Sequence, residues 1–291
     1  MDQREGWIWF DGEMVPWKDA KIHVLTHGLH YASSVFEGQR AYGGEVFKLK
    51  EHTDRLIQSG KTLDFTIPFS ADDINAACRA VLAKNNLVDA YMRPVAWRGS
   101  EELSVPGRNN TVHLAIAAWV WPSYFSVEEK LKGIRLEWSR WKRPSPETIP
   151  CSAKAAGLYM ICTLSKDAAM ANGYADALML DYRGLVAEAT GANVFFIKGK
   201  EIHTPLPDCF LNGITRQTLI GLARDNGYTV TERHIKPEEL ANFDECFLTG
   251  TAAEVTPVSE IGEFRFKPGI GCKTLINAYS EAVQPKRAAA E

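Results

Sequence analysis

Blocks of basic residues are missing from this chain of 291 residues: 33 Lys and Arg are dispersed among 36 Asp and Glu, for a net charge of −3. That excludes the electropositive footprint of a nucleic-acid or anionic-membrane binder and directs attention to small-molecule substrates. Long apolar runs are missing too, and none approaches the ~18 residues of a membrane-spanning helix. The first residues, Met1-Asp2-Gln3-Arg4-Glu5, are polar and lack the apolar core of a signal peptide. A cytoplasmic protein is expected. Six cysteines (Cys78, Cys151, Cys162, Cys209, Cys246 and Cys272) include no Cys-x-x-Cys pair and none at zinc-ligand spacing from a histidine. Reduced, packed thiols are expected, and no metal site. No G-x-S-x-G points to a nucleophile elbow, and no G-x-G-x-x-G follows a strand, so a serine hydrolase and a dinucleotide fold are disfavoured. There is no internal repeat or low-complexity segment.

What is present is an ordinary globular composition, 45% hydrophobic and 24% charged. The length suggests two domains. Trp7–Phe10 and Glu13–Trp17 predict a hairpin around Asp11-Gly12, and Gln39–Leu49 a second one turning at Gly43-Gly44. Helices are expected over Lys50–Leu63 and Ala71–Asn85, the latter capped by Ser70 with Asp73 three residues on. Its apolar positions Ile74, Ala77, Cys78, Val81 and Leu82 recur at helical spacing. Strands Ala90–Gly99 and Thr111–Trp121 complete an α/β unit. The expected division is 1–121, a connector at 122–133, and 134–291, with a frayed tail from Gln284. In the second part, strands are expected at Ile134–Lys142, Ala175–Asp181, Val194–Ile197, Ile202–Thr204, Thr229–His234, Cys246–Thr249 and Glu263–Phe266. Helices are expected at Ala155–Asn172, Arg216–Asn226, Pro237–Asn242 and Gly271–Ala282, with Gly173 and Gly227 as their positive-φ stops.

Five constellations could carry chemistry. Lys154 lies between small residues at the start of an apolar helix, where burial would favour a neutral, nucleophilic amine. A lysine snorkelling from the helix start is the plainer alternative. Glu188 ends a short strand among Ala and Gly; if buried it needs a partner, such as a protonated pyridine nitrogen, and otherwise it is an edge glutamate. Leu211-Asn212-Gly213-Ile214-Thr215-Arg216 precedes a helix, so its amides and the Thr215 hydroxyl make either a phosphate site or a plain N-cap. In Leu248-Thr249-Gly250-Thr251-Ala252-Ala253-Glu254 a strand runs into a loop of small, hydroxyl-bearing residues that could serve a second anionic group. In Tyr91-Met92-Arg93 the phenol and guanidinium share one strand face and suit a carboxylate, unless that face is merely half-exposed.

Taken in order, HGLHYASSVFEGQRAY (27–42), EHTDRL (51–56), AYMRP (90–94), SAKAAGLY (152–159), VAEATGANVF (186–195), LNGITR (211–216) and LTGTAAEVTPV (248–258) resemble the branched-chain aminotransferase family. These are class IV aminotransferases, fold-type IV pyridoxal-phosphate enzymes. The resemblance implies an α/β (α+β) protein with a small N-terminal α/β domain, a larger C-terminal domain with a barrel-like sheet, and pyridoxal 5'-phosphate between them. It implies that Lys154 forms the internal aldimine and shuttles the proton, that Tyr159 bonds the cofactor's 3′-oxygen, and that Glu188 keeps the pyridine nitrogen protonated. Arg55, Ile214, Thr215 and Thr251 would bind the phosphate. Tyr91, Thr251 and Ala252 would hold the substrate α-carboxylate, Arg93 the distal carboxylate of glutamate, and Tyr31, Phe36 and Trp121 the aliphatic side chain. The implied reaction is ping-pong transamination of L-leucine, isoleucine or valine with 2-oxoglutarate in a homodimer, where a loop resembling Arg98–Val105 closes the neighbour's site. Glu102 and Ser104 depart from the glycines many relatives carry in that loop, which leaves the exact substrate open. The alternatives are a D-amino acid or (R)-amine transaminase on the same fold, or an aminodeoxychorismate-lyase-type enzyme. A non-catalytic homologue would have to explain why Lys154, Glu188 and the phosphate residues are all present.

Overall fold

A computed structural model describes residues 4–121 and 127–285. The chain divides into two compact units, Met1–Ser123 with Ala153–Gly157 and Val283–Glu291, and Tyr124–Ser152 with Leu158–Ala282.

The first unit grows from local signals. Strands β1 (Trp7–Phe10) and β2 (Glu13–Pro16) form the expected hairpin, and Asp11 and Gly12 both take positive φ (47° and 103°) at its turn. A five-residue helix α1 (His27–Tyr31) and a strand β3 (Ser34–Phe36) follow; both are too short to leave a periodic signature. Strands β4 (Gln39–Tyr42) and β5 (Glu45–Val46) turn at Gly43-Gly44. Helix α2 (Leu49–Thr62) precedes α3 (Ala71–Lys84). Helix α3 opens with a reciprocal capping box. The Asp73 N–H donates to Ser70 Oγ at 3.1 Å, and the Ser70 N–H donates to the Asp73 carboxylate at 3.0 Å. It buries the predicted stripe Ile74, Ala77, Cys78, Val81 and Leu82, each large aliphatic contributing about 1.5–3 kcal/mol. Strands β6 (Ala90–Arg98) and β7 (Val112–Val120) pair antiparallel along their whole length.

The sheet order is β2-β1-β7-β6-β4-β5, with β3 also on β6. Strands β3 and β4 lie end to end against β6, covering Val95–Trp97 and Ala90–Met92. The break between them, at Glu37-Gly38, falls opposite Arg93 and Pro94. Pro94 has no N–H to offer a ladder, and its carbonyl accepts instead from the Glu37 N–H at 2.8 Å. That interruption positions the side chains of Phe36, Glu37 and Arg93.

The second unit contains β8 (Ile134–Trp138), β9 (Asp176–Leu180), β10 (Val186–Ala189), β11 (Asn193–Lys198), β12 (Glu201–Pro205), β13 (Thr229–Arg233), β14 (Glu245–Gly250), β15 (Glu254–Ile261) and β16 (Phe264–Arg265). Its helices are α4 (Val127–Lys130), α5 (Met160–Ala171), α6 (Ile214–Asp225) and α7 (Ile270–Ala282). Of the connector expected at 122–133, residues 122–126 lie outside the described residues, as do residues 286–291 of the expected tail. The order β10-β9-β8-β15-β14-β11 closes on itself because β11 pairs back onto β10 at Glu188 and Asn193. The result is a six-stranded barrel, the barrel-like sheet expected, extended by β12 and β13. Leu136, Leu178, Val194, Phe196, Leu248 and Val258 are buried in its core.

Three expectations need correction. Strand β8 ends at Trp138, four residues early. A 3-10 turn over Ala156–Tyr159 replaces the first turn of the helix expected from Ala155. Strand β15, absent from the sequence reading, pairs with β14 on one side and β8 on the other. Pro257 inside it argues against a strand on local grounds, and its apolar Val255, Val258 and Ile261 do not alternate. Tertiary pairing overrides both. Gly173 and Gly227 do stop α5 and α6 at positive φ (81° and 77°).

Candidate active site

In the first unit, Lys154 is fixed by its backbone. Its N–H donates to Ser59 Oγ on α2 at 3.0 Å, its carbonyl accepts from the Phe36 N–H at 3.1 Å, and Ala155 bridges to Val35 of β3. Its Nζ stands 4.9 Å from the centroid of the Phe36 ring. The Arg93 guanidinium stacks on the same ring at 4.7 Å. Arg93 Nη2 donates to the Tyr91 hydroxyl at 3.1 Å, and Tyr91 packs against Trp119 and Trp121 with centroids 5.2 and 5.3 Å apart. A Cβ at Gly38 would collide with the Tyr91 hydroxyl, so the strand break needs glycine there. Five predicted residues (Lys154, Phe36, Tyr91, Arg93 and Trp121) thus form one cluster.

Tyr31 stands elsewhere in that unit: its ring packs at a tilt against His27, centroids 4.7 Å apart, and it is 44% exposed. His27 in turn reaches the loop at 98–105, with Nε2 donating to the Ser104 carbonyl at 2.9 Å and Nδ1 bonded to Ser33 Oγ at 2.6 Å. The divergent Glu102 is held by Asn109 and Asn110.

Arg55 on α2 donates through Nε and Nη2 to the two carboxylate oxygens of Glu37 at 2.6 and 2.8 Å. His52 Nδ1 bonds to Glu37 Oε2 at 2.7 Å. Glu37 is completely buried. Burial pushes its carboxyl up, but Arg55 and His52 together pull it down to about 2. Neither Glu37 nor His52 emerges from the sequence reading, although both lie inside the quoted motifs. The spacing of His52 and Arg55, one helical turn apart, is the signal that could have joined them.

In the second unit, Glu188 sits buried on β10. It accepts from Asn193 Nδ2 at 3.1 Å and faces Arg143 Nε at 3.4 Å. An exposed edge position is therefore ruled out. Arg143, 3% exposed, also reaches the Leu158 carbonyl in the turn that carries Tyr159. Burial works against its charge, and nearby Glu188, Cys162 and Tyr159 outweigh it, raising its pKa above that of an ordinary arginine. Arg143 lies just past the strand expected to end at Lys142, where no local pattern marks it.

At Gly213–Thr215 the plain N-cap alternative fails. Gly213 is the N-cap, with no side-chain cap, and Thr215 lies inside the first turn. A Cβ at Gly213 would strike the Asn193 side chain, which accepts the Gly213 N–H at 3.2 Å. The first-turn amides, an uncapped twelve-residue helix and the Thr215 hydroxyl fit an anion such as phosphate. Thr251 and Ala252 occupy the turn that joins β14 to β15.

Residues 34–261 match the model of the family described as amino-transferase class IV. The chain therefore belongs to the class IV aminotransferases, on their branched-chain-amino-acid branch. It is 48% identical to the "Probable branched-chain-amino-acid aminotransferase" of Rickettsia felis, over 87% of this chain and 86% of that one. Among solved structures it is similar to the T.th. branched-chain amino acid aminotransferase with pyridoxamine 5'-phosphate, at 40% identity and a TM-score of 0.93, covering 97% of this chain and 95% of that one. The same T.th. enzyme complexed with N-(5'-phosphopyridoxyl)-L-glutamate aligns at 40% identity and a TM-score of 0.91, over 96% and 94% of the two chains. The fold is accordingly that of the fold-type IV enzymes.

Proposed function

We propose that this protein transfers the amino group of L-leucine, L-isoleucine or L-valine to 2-oxoglutarate by a ping-pong mechanism, with pyridoxal 5'-phosphate held at Lys154. The observation that carries the reading is the cluster in the first unit: a lysine amine and a guanidinium on one phenylalanine ring, flanked by Tyr91 and Trp121. An aromatic wall receives a branched aliphatic side chain, and the guanidinium receives a distal carboxylate. The glutamate conjugate bound by the T.th. relative supports the second half.

When bound, the cofactor supplies an electron sink for the bonds at the substrate Cα. The residues present fit it. Lys154 would hold it covalently, take the Cα proton on Nζ and return it to the other side of the exchange. Glu188, paired with Arg143, would hold a proton on the ring nitrogen. Tyr159 would bond the 3′-oxygen. Arg55, Ile214, Thr215 and Thr251 would take the phosphate, and Tyr91, Thr251 and Ala252 the α-carboxylate. Tyr31, Phe36 and Trp121 would line the side-chain pocket.

We further propose a cytoplasmic homodimer. No described helix is long and apolar enough to cross a membrane. The first unit exposes Val24, Leu29, Tyr31, Leu103 and Val105, an apolar set that favours burial against a second copy. Light scattering coupled to size exclusion tests the dimer.

The activity test is a half-reaction on purified holoenzyme, followed by absorbance, with L-leucine, L-glutamate, D-alanine and (R)-1-phenylethylamine added separately and no oxo acid present. Bleaching of the visible cofactor band by the two L-amino acids alone is expected. Bleaching mainly by D-alanine or the (R)-amine would keep Lys154 and discard the substrate assignment. Pyruvate release without an amino acceptor would indicate the lyase instead.

A further inference from the structure

Among the buried ionisable groups that the proposed reaction leaves unused, Glu37 and His52 are the most demanding. Glu37 has no exposed surface, yet it stays anionic. An ionised carboxylate in that position is expensive unless every oxygen is engaged, and an apolar residue of similar volume often serves stability as well or better. Three directed donors meet it: Arg55 Nε at 2.6 Å, Arg55 Nη2 at 2.8 Å and His52 Nδ1 at 2.7 Å. Its backbone is fixed as firmly, because its N–H donates to the Pro94 carbonyl at the break between β3 and β4.

His52, Arg55 and Ser59 stand three and four residues apart on α2, hence on one helix face. That face does two things. Ser59 holds the backbone of Lys154, and His52 with Arg55 grips Glu37. The fork to Glu37 uses one edge of the guanidinium. It fixes the plane of the group and directs its Nη1 edge. An arginine left to itself would sample many rotamers, and an anion would have to order it on binding.

We infer that Glu37, clamped by His52, is a positioning residue that pre-orients Arg55 for the phosphate of the cofactor. The inference rests on the reading proposed above, in which Arg55 is a phosphate ligand. Glutamine at position 37 keeps the shape but exchanges one acceptor oxygen for an NH2 group. That group cannot accept from Arg55 Nη2, so the fork becomes a single bond and the plane is released. The Lys154 backbone, held by Ser59, is untouched.

The test compares binding of pyridoxal phosphate and of pyridoxal, which lacks the phosphate, to apo-protein by absorbance titration. The proteins are wild type, Glu37→Gln, His52→Asn and Arg55→Gln, with thermal unfolding of each apo form as the check on folding. Glu37→Gln is expected to weaken pyridoxal phosphate about 10- to 100-fold, the scale of losing one hydrogen bond to a charged group, while pyridoxal changes within about threefold. His52→Asn, which keeps a donor near the Nδ1 position, is expected to lose less. A merely structural role would lower both affinities together, and that result, or no change in either, overturns the inference. If Arg55→Gln abolishes the discrimination between the two ligands while Glu37→Gln preserves it, the inference fails alone. If Arg55→Gln itself preserves it, the phosphate role of Arg55 fails and the inference with it. Should Glu37→Gln not fold, His52→Ala, which removes that donor altogether, carries the same comparison.

Discussion

Replacing Arg93 by leucine takes a cation out of an aromatic cluster. Arg93 spends Nη2 on the Tyr91 hydroxyl, and its Nε is buried with no hydrogen-bond partner among the described residues. Donor capacity therefore remains for a distal carboxylate, inside a wall formed by Phe36 and Tyr91. A hydrogen bond to a charged group is worth about 1.5–3 kcal/mol. At 1.36 kcal/mol per factor of ten, its loss lowers kcat/KM for L-glutamate or 2-oxoglutarate about 10- to 150-fold. L-Leucine makes no such bond. The new leucine offers apolar surface and removes a half-buried cation, so kcat/KM for L-leucine changes by no more than roughly 1 kcal/mol, within about fivefold. The assay is stopped-flow decay of the cofactor band in single half-reactions, which separates the two amino donors cleanly. Arg93→Lys keeps the charge without the planar fork and should fall between. Equal loss for glutamate and leucine would refute the reasoning, since Arg93 would then act on the cluster as a whole.

Three further outcomes follow from the same geometry. The Glu37 carboxyl is held at about 2 against an ordinary 4.5, so its ionisation contributes stability that is fully present above pH 4.5 and lost as pH falls toward 2, about 3 kcal/mol in all. Melting temperatures from pH 7 down to 3 should drop more steeply for wild type than for Glu37→Gln, and parallel curves would count against the pairing. Ser70→Ala removes half of the capping box on α3 and should cost about 0.5–2 kcal/mol in denaturant unfolding with activity unchanged. All six cysteines are buried and free, and burial pushes the thiols of Cys78 and Cys209 up to about 12 and that of Cys162 to about 11. A thiol reagent should leave the native enzyme unmodified and active, and should titrate six groups only after denaturation.

Much of this protein was legible without coordinates wherever a short stretch of chain decides its own conformation. Asp11-Gly12, Gly43-Gly44, the Ser70–Asp73 cap and the apolar stripe of α3 each act through neighbours a few residues away, so composition and spacing suffice. The motifs around Lys154, Glu188 and Gly213 were readable as a set for a different reason: together they resemble a known family, although each alone admitted a plainer explanation. What the tertiary structure decided depends on partners far apart in the chain. Pro257 hides β15 until β8 and β14 flank it. Strand β8 enters the barrel only by pairing with β9 and β15, both distant in the chain, which no local signal announces. Arg143 acquires a role only because folding buries it against Glu188, 45 residues away in numbering. Glu37 becomes a clamp only because the ladder breaks opposite Pro94 and leaves its carboxylate facing α2. Sequence specifies local preference and chemistry; long-range packing decides which charges must be buried, and therefore which ones need partners.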